Sequence, residues 1–337
     1  MAKEYNFSLF NNNYDDFTEL KTQLASFKEK GITEFVLHDK NVLSNKKSLL
    51  SFIQIAAELA PDTFYSFNLE AKMLDGDVIS ALEQLYCSIN IEMSCTMKVE
   101  PSKSVPFLML DKKLYSKKAA LLNADGLIFG FNIGLARQSG DSFKAFSSRL
   151  DFAAGLYPNH INIDYEPMPK PTATFSSKEL KEAADISFAC HTFYNAGRAV
   201  PWFLAILQAL KITPCSFFSD FAEWQRCNNC SSNCFNPDES SHLEIEKMQL
   251  CFLELKFEER RLQRLFNAVS DIVRLNGAFS RAFAEEEETE LDLSYSPADI
   301  FSPGAMNLFD FSENVCMEQG RYRIYWGRDD VEYSLIQ

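Results

Sequence analysis

The run EFVLHDKNVLSNKKSLLSFIQ, residues 34–54, and the run FYSFNLEAKMLDGDVISALEQL, residues 64–85, decide the fold. Glu34–His38 is short, apolar and partly β-branched, which suits a strand. Asn45 is a helix N-cap residue, and Leu49, Leu50, Ile53, Ile55, Ala56 and Leu59 follow at a spacing near that of a helix. Pro61-Asp62 then marks a turn before a second strand, Phe64–Leu69. Working outward, Tyr5–Phe10, Ser88–Met93, Leu127–Ile133 and His160–Tyr165 are further strands. A helix carrying Phe17, Leu20, Leu24 and Phe27 ends at Gly31. Six βα units in succession predict the α/β class, with a parallel sheet that is either open and doubly wound or curved into a barrel. No internal repeat stands out.

Beyond residue 175 the pattern turns helical. Helices are expected over Ser177–Ala189, Gly197–Leu210 and Ser216–Trp224, and a polar loop with cysteines follows from Cys227 to Ser241. One long amphipathic helix is expected from Leu243 to Phe283, ended by the acidic run Glu285–Glu288. Alternation on both sides of Gly327-Arg328-Asp329-Asp330 predicts a terminal β-hairpin. The expected organisation is 1–175, a βα domain; 176–290, a helical extension; and 291–337, a hairpin tail.

The 337 residues are 46% hydrophobic and carry 33 Lys+Arg against 47 Asp+Glu, a net charge of −14. That balance argues against nucleic acid or an anionic membrane as a partner bound by charge. The opening MAKEYNFSLF has no apolar signal core, and the longest apolar stretch, Ala199–Ile212, suits a buried helix, so a cytoplasmic protein is expected. Only 12 glycines are present, few for loops that cradle phosphates. The nine cysteines are an odd number, which suits free thiols or metal ligands better than a disulfide framework.

Residues 34–54, 64–85, SINIEMS (88–94), KKAALLNADGLIFGFNIGL (117–135) and LYPNHINIDYEPMPKPT (156–172) together resemble the radical SAM superfamily, in particular its cobalamin-dependent subgroup. FFSDFAEW (217–224) resembles the C-terminal region of the same proteins. The resemblance implies a partial (β/α) TIM-like barrel with a helical C-terminal extension. It also implies an iron–sulfur cluster in the loop after the first strand, held by CxxxCxxC, and S-adenosylmethionine near Glu70 and Glu92. Here that loop reads Asn11-Asn12-Asn13-Tyr14-Asp15-Asp16, without a cysteine. Asparagine amides cannot replace thiolates around iron and sulfide. The GLPGD-like turn is lengthened to Gly134-Leu135-Ala136-Arg137-Gln138-Ser139-Gly140-Asp141, and Met93-Ser94-Cys95-Thr96 lacks a glycine. The expectation is a member of that superfamily without the cobalamin-binding domain that precedes the barrel in the subgroup.

Cys227-x2-Cys230-x3-Cys234 is the densest ligand set, with Cys215, Cys251 or His242 as a fourth ligand for zinc or an iron–sulfur cluster. The competing reading is a polar loop with three free thiols. Asp39, Glu70, Glu92, Asp164 and Glu166 fall at strand C-termini, where parallel α/β folds build their sites. Asp39, Glu70 and Glu92 are the candidate cofactor-binding residues, against the plainer reading of helix caps and solvated charges. His38 and Asp39 point to opposite faces and do not form a dyad. HExxH, GxSxG, P-loop and GxGxxG motifs are all missing, which leaves zinc-hydrolase, α/β-hydrolase, NTPase and dinucleotide readings without support. Trp202, Phe203, Ile206 and Leu210 are read as core rather than as a partner surface. The expectation is a non-catalytic scaffold that docks a protein partner. The alternative is an S-adenosylmethionine- or iron–sulfur-dependent enzyme using the three cysteines.

Overall fold

Alternation along the first strands places one set of side chains under helices and the other set on a polar face. The computed structural model describes residues 4–7, 18–98, 107–137, 140–164, 169–228 and 235–336. The chain divides into two compact units, residues 1–176 and 177–337.

The first unit runs β1 (Glu4–Phe7), α1 (Thr18–Ala25), α2 (Phe27–Lys30), β2 (Glu34–Leu37), α3 (Lys40–Ser44), α4 (Lys46–Leu59), β3 (Phe64–Glu70), α5 (Gly76–Leu82) and β4 (Tyr86–Glu92). It continues with β5 (Thr96–Lys98), β6 (Phe107–Met109), α6 (Lys112–Ala124), β7 (Ile128–Gly134), α7 (Phe143–Ala154) and β8 (His160–Asp164). Every expected strand is present, although Ser8–Phe10 and Tyr165 lie outside the described residues. The six strands pair in parallel in the order β1-β2-β3-β4-β7-β8. That order never reverses, so the doubly wound alternative, which needs a switch point, is excluded. Right-handed crossovers in an unreversed order keep all helices on one face. β5 and β6 form a small antiparallel pair that the sequence reading does not foresee.

The helix-facing side is the core. Phe35, Tyr65, Phe67, Ile89, Ile91, Phe129, Phe131 and Ile161 are buried there. Phe52 of α4 meets Tyr65 and Phe67 edge-on at 6.1 and 5.9 Å, and Tyr115 of α6 meets Phe131 at 6.2 Å. Each such side chain contributes roughly 1.5–3 kcal/mol through burial. Asn45 caps α4 by accepting from the Ser48 N–H at 3.2 Å, as its position predicts.

The second unit contains α8 (Ser177–Cys190), a π-helical turn (His191–Ala196), α9 (Phe203–Leu210), α10 (Pro214–Asn228), α11 (His242–Glu259) and α12 (Phe266–Glu285). Then come β9 (Thr289–Leu293), α13 (Pro297–Ile300), α14 (Leu308–Asn314), β10 (Gly320–Trp326) and β11 (Val331–Ile336). Phe193 centres this core, with Phe217 and Phe221 rings at 4.8 and 5.0 Å. Trp202, Phe203, Ile206 and Leu210 are buried in the same unit. The single helix expected from Leu243 to Phe283 is instead two helices. The break is at Arg261, whose φ of +58° is left-handed, a conformation that no glycine signals here. The terminal hairpin forms with Trp326 opposite Val331, and β9 adds a third strand beside β10. No helix among the described residues is long and apolar enough to cross a membrane.

Candidate functional site

The polar face of the first sheet carries a recurring triplet. β3 ends in Asn68-Leu69-Glu70, β4 in Asn90-Ile91-Glu92, β7 in Asn132-Ile133-Gly134 and β8 in Asn162-Ile163-Asp164. The apolar middle residue of each triplet is buried under the helices, so the flanking residues share the opposite face. Their amides interlock. Asn132 Nδ2 donates to Asn68 Oδ1 at 3.5 Å, and Asn162 Nδ2 donates to Asn132 Oδ1 at 3.1 Å and to Asn90 Oδ1 at 3.3 Å. The Asn90 Oδ1 atom also meets His160 Nε2 at 2.6 Å. His160 reaches Asn90 across β7 because the intervening residue is Gly130, where a Cβ would lie 2.2 Å from the imidazole. Burial holds the His160 pKa below its ordinary value, so the neutral ring is favoured.

The acidic ends of the triplets are closed by cations. Glu70 and Glu92 are opposite one another in register. Lys72 lies 2.6 Å from Glu70, and Arg137 Nη1 donates to Glu92 at 3.1 Å. Arg137 Nη2 also pairs with Asp164, so one guanidinium links the ends of β4 and β8 across β7. Gly134 makes room for this, since a Cβ there would stand 2.5 Å from Arg137 Cδ.

The loop carrying Arg137 is anchored by a buried pair. Arg149 Nη1 and Nη2 donate to the two oxygens of Asp141 at 2.9 and 3.0 Å, and Nη2 also donates to the Gly134 carbonyl. Asp141 accepts from the Ala136 and Ser142 N–H groups as well, each at 3.0 Å. Ala136, at φ +49°, turns the chain back. Between these pairs lies a cavity of about 80 Å³ lined by Glu92, Cys95, Arg137, Asp141 and Arg149 among others. A water needs only about 10–15 Å³ of such volume, so the cavity has room for several waters among these charged groups.

Asp39 stands apart from this cluster. It is buried as the N-cap of α3, with Oδ1 accepting from the Asn41 and Val42 N–H groups at 2.8 and 3.2 Å. Glu166 lies outside the described residues. The first unit has only two cysteines, Cys87 and Cys95. Cys87 is buried on β4, its thiol pushed up to about 12 by burial, so this unit cannot offer three thiolates to an iron–sulfur cluster. Cys227 is exposed in the last turn of α10, while Cys230 and Cys234 lie outside the described residues. Of the fourth-ligand candidates, Cys215 is buried, Cys251 is exposed, and His242 is engaged by Arg281 at 3.0 Å.

Reading the residues singly finds the carboxylates but misses Asn68, Asn90, Asn132, Asn162, His160 and Arg137 as a set. The signal is an Asn followed by Leu or Ile at four successive strand ends, with an acid after it in all but β7, and strand register turns it into a ladder.

No family model and no curated protein matches the chain. Two solved structures of the radical S-adenosylmethionine methyltransferase TsrM from Kitasatospora setae align with part of it. The one with cobalamin and a 4Fe-4S cluster bound does so at a TM-score of 0.36 and 8% identity, over 44% of this chain and 30% of that one. The one with tryptophan substrate and the S-adenosylmethionine analogue aza-SAM gives 0.36 and 10%, over 45% and 32%. The chain thus spans about a third of the length of these proteins, a likeness that assigns no chemistry to it.

Proposed function

We propose that residues 1–176 are a radical-SAM-like partial (β/α) barrel that serves as a non-catalytic scaffold, docking a protein partner such as an active modification enzyme. The observation that carries this reading is the closure of the strand ends by Arg137. Glu92 and Asp164, which could have faced an amino group or a ribose, are spent on one internal guanidinium. Glu70 is likewise paired with Lys72. The two-cysteine content agrees with it.

The test is binding of S-adenosylmethionine by calorimetry on anaerobically prepared protein, with iron and sulfide measured on the same sample. The expected result is no binding and no cluster, together with a stable complex on co-expression with an active relative encoded nearby. Binding that Glu70→Ala and Glu92→Ala both abolish would overturn it.

The second reading, an S-adenosylmethionine- or iron–sulfur-dependent enzyme with its cluster at Cys227, Cys230 and Cys234, is favoured by the exposure of Cys227. Iron and sulfide near cluster stoichiometry, lost when all three are changed to Ser, would establish it. Zinc alone would make the loop a structural clamp.

A further inference from the structure

The sheet of the second unit has two edges, and they differ. At one edge the Asp292 carbonyl of β9 accepts from Arg274 Nη1 at 2.9 Å. At the other, β11 pairs with β10 alone. Register fixes which of its backbone groups face outward. Gly327 N–H donates to the Asp330 carbonyl at 2.8 Å at the turn. By antiparallel alternation Glu332, Ser334 and Ile336 then bond to β10, while Val331, Tyr333 and Leu335 turn their N–H and C=O groups away. Asp330 Oδ1 accepts from the Val331 N–H at 2.7 Å. The outward groups of Tyr333 and Leu335 meet no partner among the described residues. Free edges are ordinarily blunted by a lysine, a proline or a bulge, and the strand VEYSLI has none of these.

The side chains continue the pattern. Val331, Tyr333 and Leu335 lie opposite Trp326, Ile324 and Tyr322 and share their face of the sheet. The Tyr333 ring stands 6.3 Å from Phe279 of α12, yet Tyr333 is 42% exposed and Leu335 60%. The apolar face therefore runs on past the helix that covers it. The other face of β11 carries Glu332 and Ser334, with Arg323 of β10 beside Ser334.

A second β11, antiparallel and centred on Tyr333, meets both faces. Tyr333 then lies opposite its own counterpart, Val331 opposite Leu335 of the copy, and Glu332 opposite Ser334 of the copy. Outward backbone groups face each other, with two hydrogen bonds at the Tyr333 pair and one from each Leu335 N–H to the other chain's Val331 carbonyl. On the polar face each Glu332 meets a small Ser334 with Arg323 one strand beyond, so negative charge comes beside positive. Neighbouring registers lose this. Centred on Glu332, the two carboxylates oppose each other. Centred on Ser334, Glu332 faces Ile336 and the two Arg323 side chains share a row.

We propose that β11 is a homodimer interface, pairing antiparallel with β11 of a second copy of this chain about a twofold axis at Tyr333. The inference concerns the second unit and is separate from the scaffold reading of the first, so either can fail alone. Two six-residue strands bury less than the roughly 1,600 Å² of a standard interface, so dissociation in the micromolar range is expected. Each chain carries a net charge of −14, so added salt should strengthen the dimer.

The experiment is sedimentation velocity on the full chain from about 1 to 100 μM, where a monomer–dimer equilibrium is expected. Tyr333→Pro removes an outward N–H and none of the bonds to β10. Leu335→Lys sets a cation on the edge at a position already exposed. Each should weaken association by roughly tenfold or more without lowering the melting temperature of the monomer. Under mild oxidation Tyr333→Cys should form an intermolecular disulfide, whereas Leu335→Cys, facing Val331, should not exceed the wild-type background. A chain that stays monomeric at every concentration overturns the proposal, as does a dimer that both variants leave intact. Cross-linking through Leu335→Cys overturns the register. A monomer whose β11 amides become protected only when a different protein is co-expressed assigns the edge to that protein and overturns the second copy.

Discussion

Arg137 and Glu92 meet at 3.1 Å across 45 residues of chain, and the same guanidinium holds Asp164. All three side chains are about half exposed, so water screens the attraction. Arg137→Ala should therefore change stability by less than about 1 kcal/mol in urea unfolding. Its larger effect is electrostatic, leaving Glu92 and Asp164 unneutralised at the strand ends. If S-adenosylmethionine binds the variant but not the wild type, Arg137 is the plug.

The pair beneath that loop behaves differently. Arg149 and Asp141 are almost wholly buried. Arg149→Met would leave a buried carboxylate with only backbone partners, and a loss of about 3–5 kcal/mol is expected. Urea unfolding with Asp141→Asn in parallel checks it, since the double variant should recover part of the loss.

His242 makes stability depend on pH. Its ring titrates at 6.5 in the ordinary state and is pushed down to about 4 in the fold by burial, Arg198 and Arg281. Between those values the unfolded chain holds the extra proton, so stability rises with pH across the window and is complete above it. Acidification from pH 7 to 4 should cost about 3 kcal/mol from this group. Glu246, held above its ordinary value by burial, works in the opposite direction. The measurement is therefore the difference in pH dependence between wild type and His242→Gln, whose amide oxygen can still accept from Arg281.

Gly277→Ala should destabilise despite alanine's better helix propensity. The new methyl collides with the Glu246 carboxylate rather than with a side chain free to swing into solvent. A net loss of about 1–3 kcal/mol is expected by thermal melting.

Thiol reactivity should split by burial. Cys227, Cys251 and Cys316 are exposed and should alkylate quickly in the native protein, while Cys87, Cys190 and Cys215 are buried and should wait for unfolding. Mass spectrometry of peptides after brief alkylation reads each site. Zinc or iron that protects Cys227 until it is chelated would show that the cysteine loop holds metal.

Much of the strand pattern was legible because alternation is a local property. Phe64–Glu70 alternates whatever it pairs with, and its neighbours inherit the same logic. The end of α12 at the acidic run and the cap at Asn45 were legible for the same reason. The break at Arg261 was not, since a left-handed arginine carries no local signature. Strand β9 was hidden because Thr289–Leu293 follows directly on the acidic run, and only its pairing with β10 identifies it.

By itself the sequence determined the class of the first unit, the positions of its strands along the chain and the absence of three thiolates there. Each follows from residue type and spacing along the chain. Tertiary structure alone decided that Asn68, Asn90, Asn132 and Asn162 form one ladder, that Arg137 closes on Glu92 and Asp164, and that Arg281 lies buried with donors to spare. Hydrogen bonds and charges act over a few ångströms, and these partners are brought that close by strand register and helix packing, which hydrophobic burial sets without regard to their distance in sequence.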